Sequence, residues 1–109
     1  MIIPVLKSLG VGIEPDSVDD FWVPLRADIG EEGIEGVDVF YFHLTTPKRL
    51  IYVLQHERTV FERGLIIVEK YDYDLAKNLI EKVLLECKGE TWEEVTNKIM
   101  KYCVSEYGD

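Results

Sequence analysis

The chain has 109 residues, of which 47% are hydrophobic, and it carries a formal net charge of −9. This length fits one domain, so we expect a single domain over residues 1–109. Phosphate backbones and anionic membranes are bound through Lys and Arg, and no apolar run reaches the roughly 18 residues of a membrane span. We therefore expect no nucleic-acid partner and no membrane partner. The N-terminus lacks the pattern of a signal peptide, which predicts a cytoplasmic location.

The first half of the chain predicts three strands. Residues 2–9 are apolar and rich in β-branched side chains, and Pro4 favours a position at the sheet edge. Residues 21–29 alternate with a period of two, which predicts a half-buried strand whose odd-numbered residues face inward. A turn with three glycines follows over residues 30–36. Residues 37–44 are apolar on both faces, which predicts a central strand that forms a hairpin with its predecessor.

The second half predicts a helix, a strand and two further helices. Thr46 and Pro47 suit the first two positions of a helix, and its apolar face is expected at Leu50, Ile51 and Leu54. Residues 65–68 predict a buried strand. The second helix has an apolar stripe at Leu75, Leu79, Ile80, Val83, Leu84 and Cys87 and is expected to end at Gly89.

A capping box over residues 91–94 opens the last helix. Its inward residues are expected at Trp92, Val95, Ile99, Tyr102 and Cys103. The short link over residues 88–90 predicts that the last two helices form an antiparallel hairpin. The order β-β-β-α-β-α-α predicts an α+β fold, with an antiparallel or mixed sheet of about four strands and the helical hairpin packed on it.

Residues that could perform catalysis do not form a recognisable motif in this sequence. His43 and His56 have no Cys or His at the spacing of metal ligands, and Cys87 and Cys103 are expected to be reduced core residues. We therefore predict a binding protein without metal or cofactor. Two alternatives stay open: a small cytoplasmic hydrolase or metal-dependent enzyme with an unrecognised site, and a structural or regulatory module that self-associates.

The negative charge is concentrated in one segment. Residues 13–36 contain eight acidic residues and one basic residue, which accounts for −7 of the net −9. Such clustering favours a surface that steers a basic partner, and neighbouring aromatic residues suit an interface anchor. The residues predicted to bind the partner are Asp16, Asp19, Asp20, Phe21, Trp22, Asp28, Glu31, Glu32 and Glu35.

Three blocks of the sequence resemble the immunity protein 8 family of bacterial polymorphic toxin systems. The first block runs from Asp38-Val39-Phe40 into residues 45–50, the second is residues 65–72, and the third is residues 91–95. The resemblance covers about residues 36–107. It implies a protein that protects its producer by binding a cognate toxin domain, with no catalytic residues. Toxin domains of such systems are often nucleases with basic substrate grooves, so the resemblance also implies a basic partner.

Overall fold

A computed structural model describes residues 1–107 of the chain. Its elements in chain order are β1 Pro4–Val11, β2 Trp22–Glu31, β3 Asp38–Thr45, α1 Pro47–Glu57, β4 Leu65–Ile67, α2 Tyr73–Leu84, α3 Trp92–Ile99 and β5 Val104–Ser105. The predicted α+β class and the order β-β-β-α-β-α-α are confirmed. The short strand β5, which follows the last helix, was not predicted from the sequence.

The strands form one mixed sheet in the order β1-β2-β3-β4, with β5 also paired to β3. β1, β2 and β3 are antiparallel neighbours, and β4 runs parallel to β3 after the connection through α1. β5 pairs antiparallel with β3 beside β4. β1 lies at the edge of the sheet, as Pro4 predicted, and a bulge interrupts its register between Leu6 and Ser8.

One face of the sheet forms the core with α2 and α3. The five alternating residues predicted to face inward from the second strand are all buried: Phe21, Val23, Leu25, Ala27 and Ile29. On β3 the buried residues of this face are Phe40, Phe42 and Leu44. These side chains belong to the same hydrophobic cluster as residues of both helices. The fold therefore has a sheet layer and, on one face of the sheet, a layer formed by α2 and α3.

The ends of α2 and α3 follow the capping chemistry of their sequences. The Asp72 carboxylate accepts a hydrogen bond from the Leu75 N–H at 3.1 Å, and the Thr91 hydroxyl accepts one from the Glu94 N–H, also at 3.1 Å. These bonds satisfy backbone donors that the first turn of a helix leaves unpaired. The N-cap predicted at Thr91 is confirmed, whereas the Glu94 carboxylate accepts from the N–H of Glu90 at 3.4 Å, one residue before the cap.

The buried face of α2 differs from the predicted one. Its buried residues are Ala76, Ile80 and Leu84, whereas Leu75 and Leu79 are exposed. The small side chain of Ala76 suits close packing of the helix on the sheet, and Leu75 and Leu79, each one residue before a buried position, lie outside the buried stripe. In α3 the inward positions Val95 and Ile99 are confirmed, Trp92 is half-buried, and the prediction that Tyr102 faces inward is wrong because 43% of its surface is exposed.

The connection between α2 and α3 is longer than predicted. α2 ends at Leu84, and tight turns carry the chain through residues 85–87. Gly89 does not follow the helix end directly; its backbone pairs instead with Ile2 through hydrogen bonds in both directions. The start of the chain is therefore attached to the link between the two helices.

The helix α1 departs most from its prediction. Pro47 occupies its first turn as predicted, but the Thr46 hydroxyl caps no helix N–H and instead accepts a hydrogen bond from the Phe21 N–H at 3.3 Å. No side chain of α1 is buried, so the predicted apolar face at Leu50, Ile51 and Leu54 does not contribute to the core. None of the helices within residues 1–107 is long and apolar enough to cross a membrane.

Both cysteines are free and lie in the core beneath the sheet. Burial raises the pKa of the Cys87 thiol and raises that of Cys103 to about 12, because a thiolate loses its hydration in an apolar environment. The two thiols therefore stay protonated at neutral pH. A protonated thiol is a weak nucleophile and a poor metal ligand.

We expect Ile80→Ala to lower the free energy of unfolding by about 2–5 kcal/mol, because the Ile80 side chain is fully buried. Leu79→Ala serves as the matched control, since 43% of the Leu79 surface is exposed, and it should cost less than about 1 kcal/mol. Urea denaturation followed by circular dichroism measures both values. Equal losses for the two variants would contradict the assigned orientation of α2.

We also expect Cys87 and Cys103 to react slowly with a disulfide reagent in the native protein and rapidly after unfolding. The reason is that both side chains are buried and their raised pKa values keep them protonated. Absorbance after addition of the reagent, with and without denaturant, gives the measurement. Fast labelling of the native protein at mildly alkaline pH would show that the thiols are accessible.

Candidate partner-binding surface

The acidic segment of the sequence does not form one patch in the fold. Asp16, Asp19 and Asp20, here called the loop acids, precede β2, whereas Glu31, Glu32 and Glu35, here called the turn acids, lie at its far end. β2 has ten residues, and at about 3.3 Å per residue its ends are roughly 30 Å apart. The structure therefore brings the predicted acidic residues together as two groups at opposite ends of the sheet.

Two of the loop acids form ion pairs with the start of α1. The Asp20 carboxylate accepts a hydrogen bond from Arg49 Nε at 2.7 Å, and Asp19 lies 4.0 Å from Lys48 Nζ. Both pairs are partly exposed, so each contributes little to stability. Their structural effect is to attach the first turn of α1 to the loop. Asp16 is exposed.

Two of the three turn acids line a shallow cavity of about 340 Å³ at the end of the sheet. Glu31 and Glu35 line it, together with Asp38 and the indole of Trp92. The Trp92 Nε1–H donates a hydrogen bond to the Asp38 carboxylate at 2.6 Å, which fixes the indole against the start of β3. Glu32 is exposed, and its backbone N–H donates to the Ile3 carbonyl at 2.9 Å.

Close packing of glycine backbones fixes the shape of this turn. A Cβ atom added to Gly30 would lie 2.3 Å from the Gly36 carbonyl oxygen, a distance at which the backbone would have to move. Gly33 and Gly36 have φ values of +79° and +105°, a region that glycine adopts without strain. The turn therefore needs glycine at these positions, and its glutamates project from a defined backbone.

Asp28 lies on β2 between the two acidic groups. Its carboxylate accepts hydrogen bonds from the Ser8 hydroxyl at 2.8 Å and from Arg26 Nε at 3.0 Å. The Ser8 hydrogen bond, followed by the Arg26 hydrogen bond, lowers the pKa of Asp28 below its usual value. The group is therefore ionised throughout the neutral range. Its bond to Ser8 also connects β1 to β2.

The two aromatic residues of the predicted site have different environments. Phe21 is only 5% exposed and its ring packs edge-on against Tyr71, with ring centroids 5.7 Å apart. The prediction that the Phe21 side chain contacts a partner is therefore corrected: alternation along the strand directs it into the core. Trp22, its neighbour, faces the other side of the sheet and is half-buried.

The face of the sheet opposite α2 and α3 carries side chains that do not enter the hydrophobic core. We call it the open face and define it by Trp22, Pro24, Arg26, Tyr41 and His43. None of these five residues belongs to the hydrophobic core cluster, and each is exposed or half-buried. They lie next to one another because Pro24 pairs with His43, and Arg26 with Tyr41, across the β2–β3 ladder.

A histidine ion pair lies at one side of the open face. His43 Nδ1 contacts the Glu62 carboxylate, and the His43 ring lies 6.2 Å from the Trp22 indole between ring centroids. The partner of His43 therefore comes from outside its own strand. His56 Nδ1 donates to the Tyr52 carbonyl at 2.9 Å in the last turn of α1.

Sequence reasoning overlooked most of the open face, although a signal was present. Residues 37–44 were interpreted as apolar on both sides, but Tyr41 and His43 alternate with the fully apolar Phe40, Phe42 and Leu44. This alternation places both polar rings on the side away from the core. The pairing of Glu62 with His43 could not be predicted from the sequence around His43, because Glu62 lies in the segment between α1 and β4.

No group of three or more His, Cys, Asp or Glu side chains in residues 1–107 is arranged to hold a metal ion. The accessible polar groups of the site are carboxylates, one guanidinium, one imidazole and aromatic rings. Such groups can form salt bridges, hydrogen bonds and stacking contacts with another molecule.

Comparison with known proteins gives one match. The family model described as Immunity protein 8 matches residues 8–109, which is nearly the whole chain. No curated protein and no solved structure matches. The family match extends beyond the three blocks of residues that first suggested the resemblance and includes the second half of β1, all of β2 and the acidic segment. The chain therefore belongs to the immunity protein 8 family.

Proposed function

We propose that this protein is an immunity protein that binds and neutralises a cognate bacterial toxin domain, and so protects the cell that produces the toxin. The observation that carries the proposal is the family match over residues 8–109. In this proposal the protein acts in the cytoplasm, by binding alone and without catalysis. Its mechanism is occupation of a toxin surface that the toxin needs for its activity.

The charge of the molecule supports a basic partner. The net charge is −9, and six of the predicted contact residues are the loop acids and the turn acids at the two ends of β2. Acidic groups at the edge of an interface attract a basic partner and increase the association rate. The turn acids are the better placed group, because two of the loop acids are already paired with Lys48 and Arg49.

A growth assay tests the proposed function. The toxin to use is the C-terminal domain of the large reading frame encoded next to this gene, expressed in a sensitive bacterial host. Co-expression of this protein should restore growth, and the two purified proteins should form a stable complex on a sizing column. Continued killing by the toxin in cells that contain folded immunity protein would overturn the proposal.

We expect substitution of the three turn acids, Glu31, Glu32 and Glu35, by Gln to lower the association rate for the toxin by about tenfold at low ionic strength. The matched control replaces Glu81, Glu86 and Glu93 by Gln, which removes the same charge from exposed positions on the helical side. Stopped-flow mixing at several salt concentrations gives the rates. Salt should slow the wild type, because the screening length is about 8 Å at physiological ionic strength.

The control triple variant distinguishes the effect of charge at the turn from the effect of total charge on the association rate. If the turn acids face the partner, the control triple variant should associate nearly as fast as the wild type. Association rates that are insensitive to salt and equal in all three proteins would show that these carboxylates are solvated surface only.

A further inference from the structure

We infer that the open face of the sheet is the surface on which the basic toxin domain docks, with Trp22 and Tyr41 as its central contacts. This inference rests on the proposed function and goes beyond it, because it assigns the contact surface. Neither the sequence segment rich in acidic residues nor the family match identifies this face.

The composition of the open face is that of an interface centre. Trp, Tyr and Arg are the residue types most enriched among side chains that dominate binding energy, and the face contains one of each in Trp22, Arg26 and Tyr41. Lysine, which is depleted in interface cores, does not occur among its five residues. Trp22 and Tyr41 also have few rotatable bonds, so they lose little conformational entropy on contact.

The charge of the open face suits a basic partner. Its basic side chains already have acidic partners, since Arg26 is bonded to Asp28 and His43 contacts Glu62. Glu106 is close enough to Arg26 to contribute to the raised pKa of the guanidinium, so a further carboxyl group borders the face. Three carboxyl groups thus lie around one guanidinium, beside aromatic rings that offer favourable faces to Arg or Lys of a partner.

The open face lies between the loop acids and the turn acids. Trp22 begins β2 at the end near the loop acids, and the turn acids follow the opposite end of the same strand. The arrangement therefore has an aromatic centre with acidic groups toward both ends, and interfaces commonly have a desolvated centre and a charged rim. The surface is also preformed, because the β1–β2 and β2–β3 ladders hold its backbone, which limits the ordering cost of binding.

Two alanine variants and a matched control test the inference with the toxin domain from the neighbouring gene. Trp22→Ala and Tyr41→Ala should each raise the dissociation constant by at least about 30-fold, mainly through a faster off-rate. Tyr102→Ala is the control: it removes the same side chain at similar exposure, 43% against 36% for Tyr41, from the helical side. Tyr102→Ala should change the dissociation constant by less than about threefold.

A second pair of variants tests the chemistry of the partner. Pro24 is exposed at the centre of the open face, so Pro24→Arg and Pro24→Glu both add a long side chain there with opposite charge. Against a basic surface, Pro24→Arg should weaken binding by at least about tenfold more than Pro24→Glu. Thermal melting of each variant confirms that it is folded before binding is measured by titration calorimetry.

The outcomes distinguish this inference from the proposed function. If the wild type does not bind the toxin, the proposed function fails and the inference fails with it. If the wild type binds and the open-face variants bind as tightly as Tyr102→Ala, the protein keeps its function and the inference is overturned. Variants that alter self-association on a sizing column but leave toxin binding unchanged also overturn it, because the face would then bind a second copy of this chain.

Discussion

The burial of one side of β2 and β3 beneath α2 and α3 determines the arrangement of the other parts of the molecule. Leu25, Ala27 and Phe40 are completely buried in this layer, and each must face the helices. Because side chains alternate along a strand, the residues between them must face the opposite side. A shift in register by one residue would place Arg26 and Tyr41 in the core. The same constraint therefore fixes the hydrophobic core and the open face together.

Local sequence patterns predicted those parts of the fold that depend on a single strand or on a single helix end. The alternation in residues 21–29 placed all five inward side chains of this segment correctly, and the caps of α2 and α3 followed from Asp72 and Thr91. The orientation of α2 could not be predicted as well, because its apolar residues cover a stripe wider than the sheet can bury. Which edge of that stripe is buried depends on how closely the helix approaches the sheet at Ala76.

The site was less predictable because its members are neighbours only in space. The acidic segment is continuous in sequence, but an extended strand of ten residues separates its two ends. The open face, in contrast, combines residues of β2 and β3 with Glu62, which approaches from the segment before β4. Likewise, the apolar pattern of α1 predicted a buried helix, yet α1 connects two parallel strands without packing into the core. Burial of a helix depends on where its connections place it.

The pairing of β3 has a consequence for the growing chain during synthesis. One edge of β3 is protected early, by the neighbouring hairpin strand β2, but its other edge is covered by β4 and β5, of which β5 follows all three helices along the chain. β3 carries Val39, Phe40 and Phe42, and an unpaired apolar strand edge is prone to intermolecular pairing. The edge therefore stays incompletely paired until residues 104–105 have left the ribosome. A chain shortened at its C-terminus would keep that edge open permanently and would be prone to aggregate.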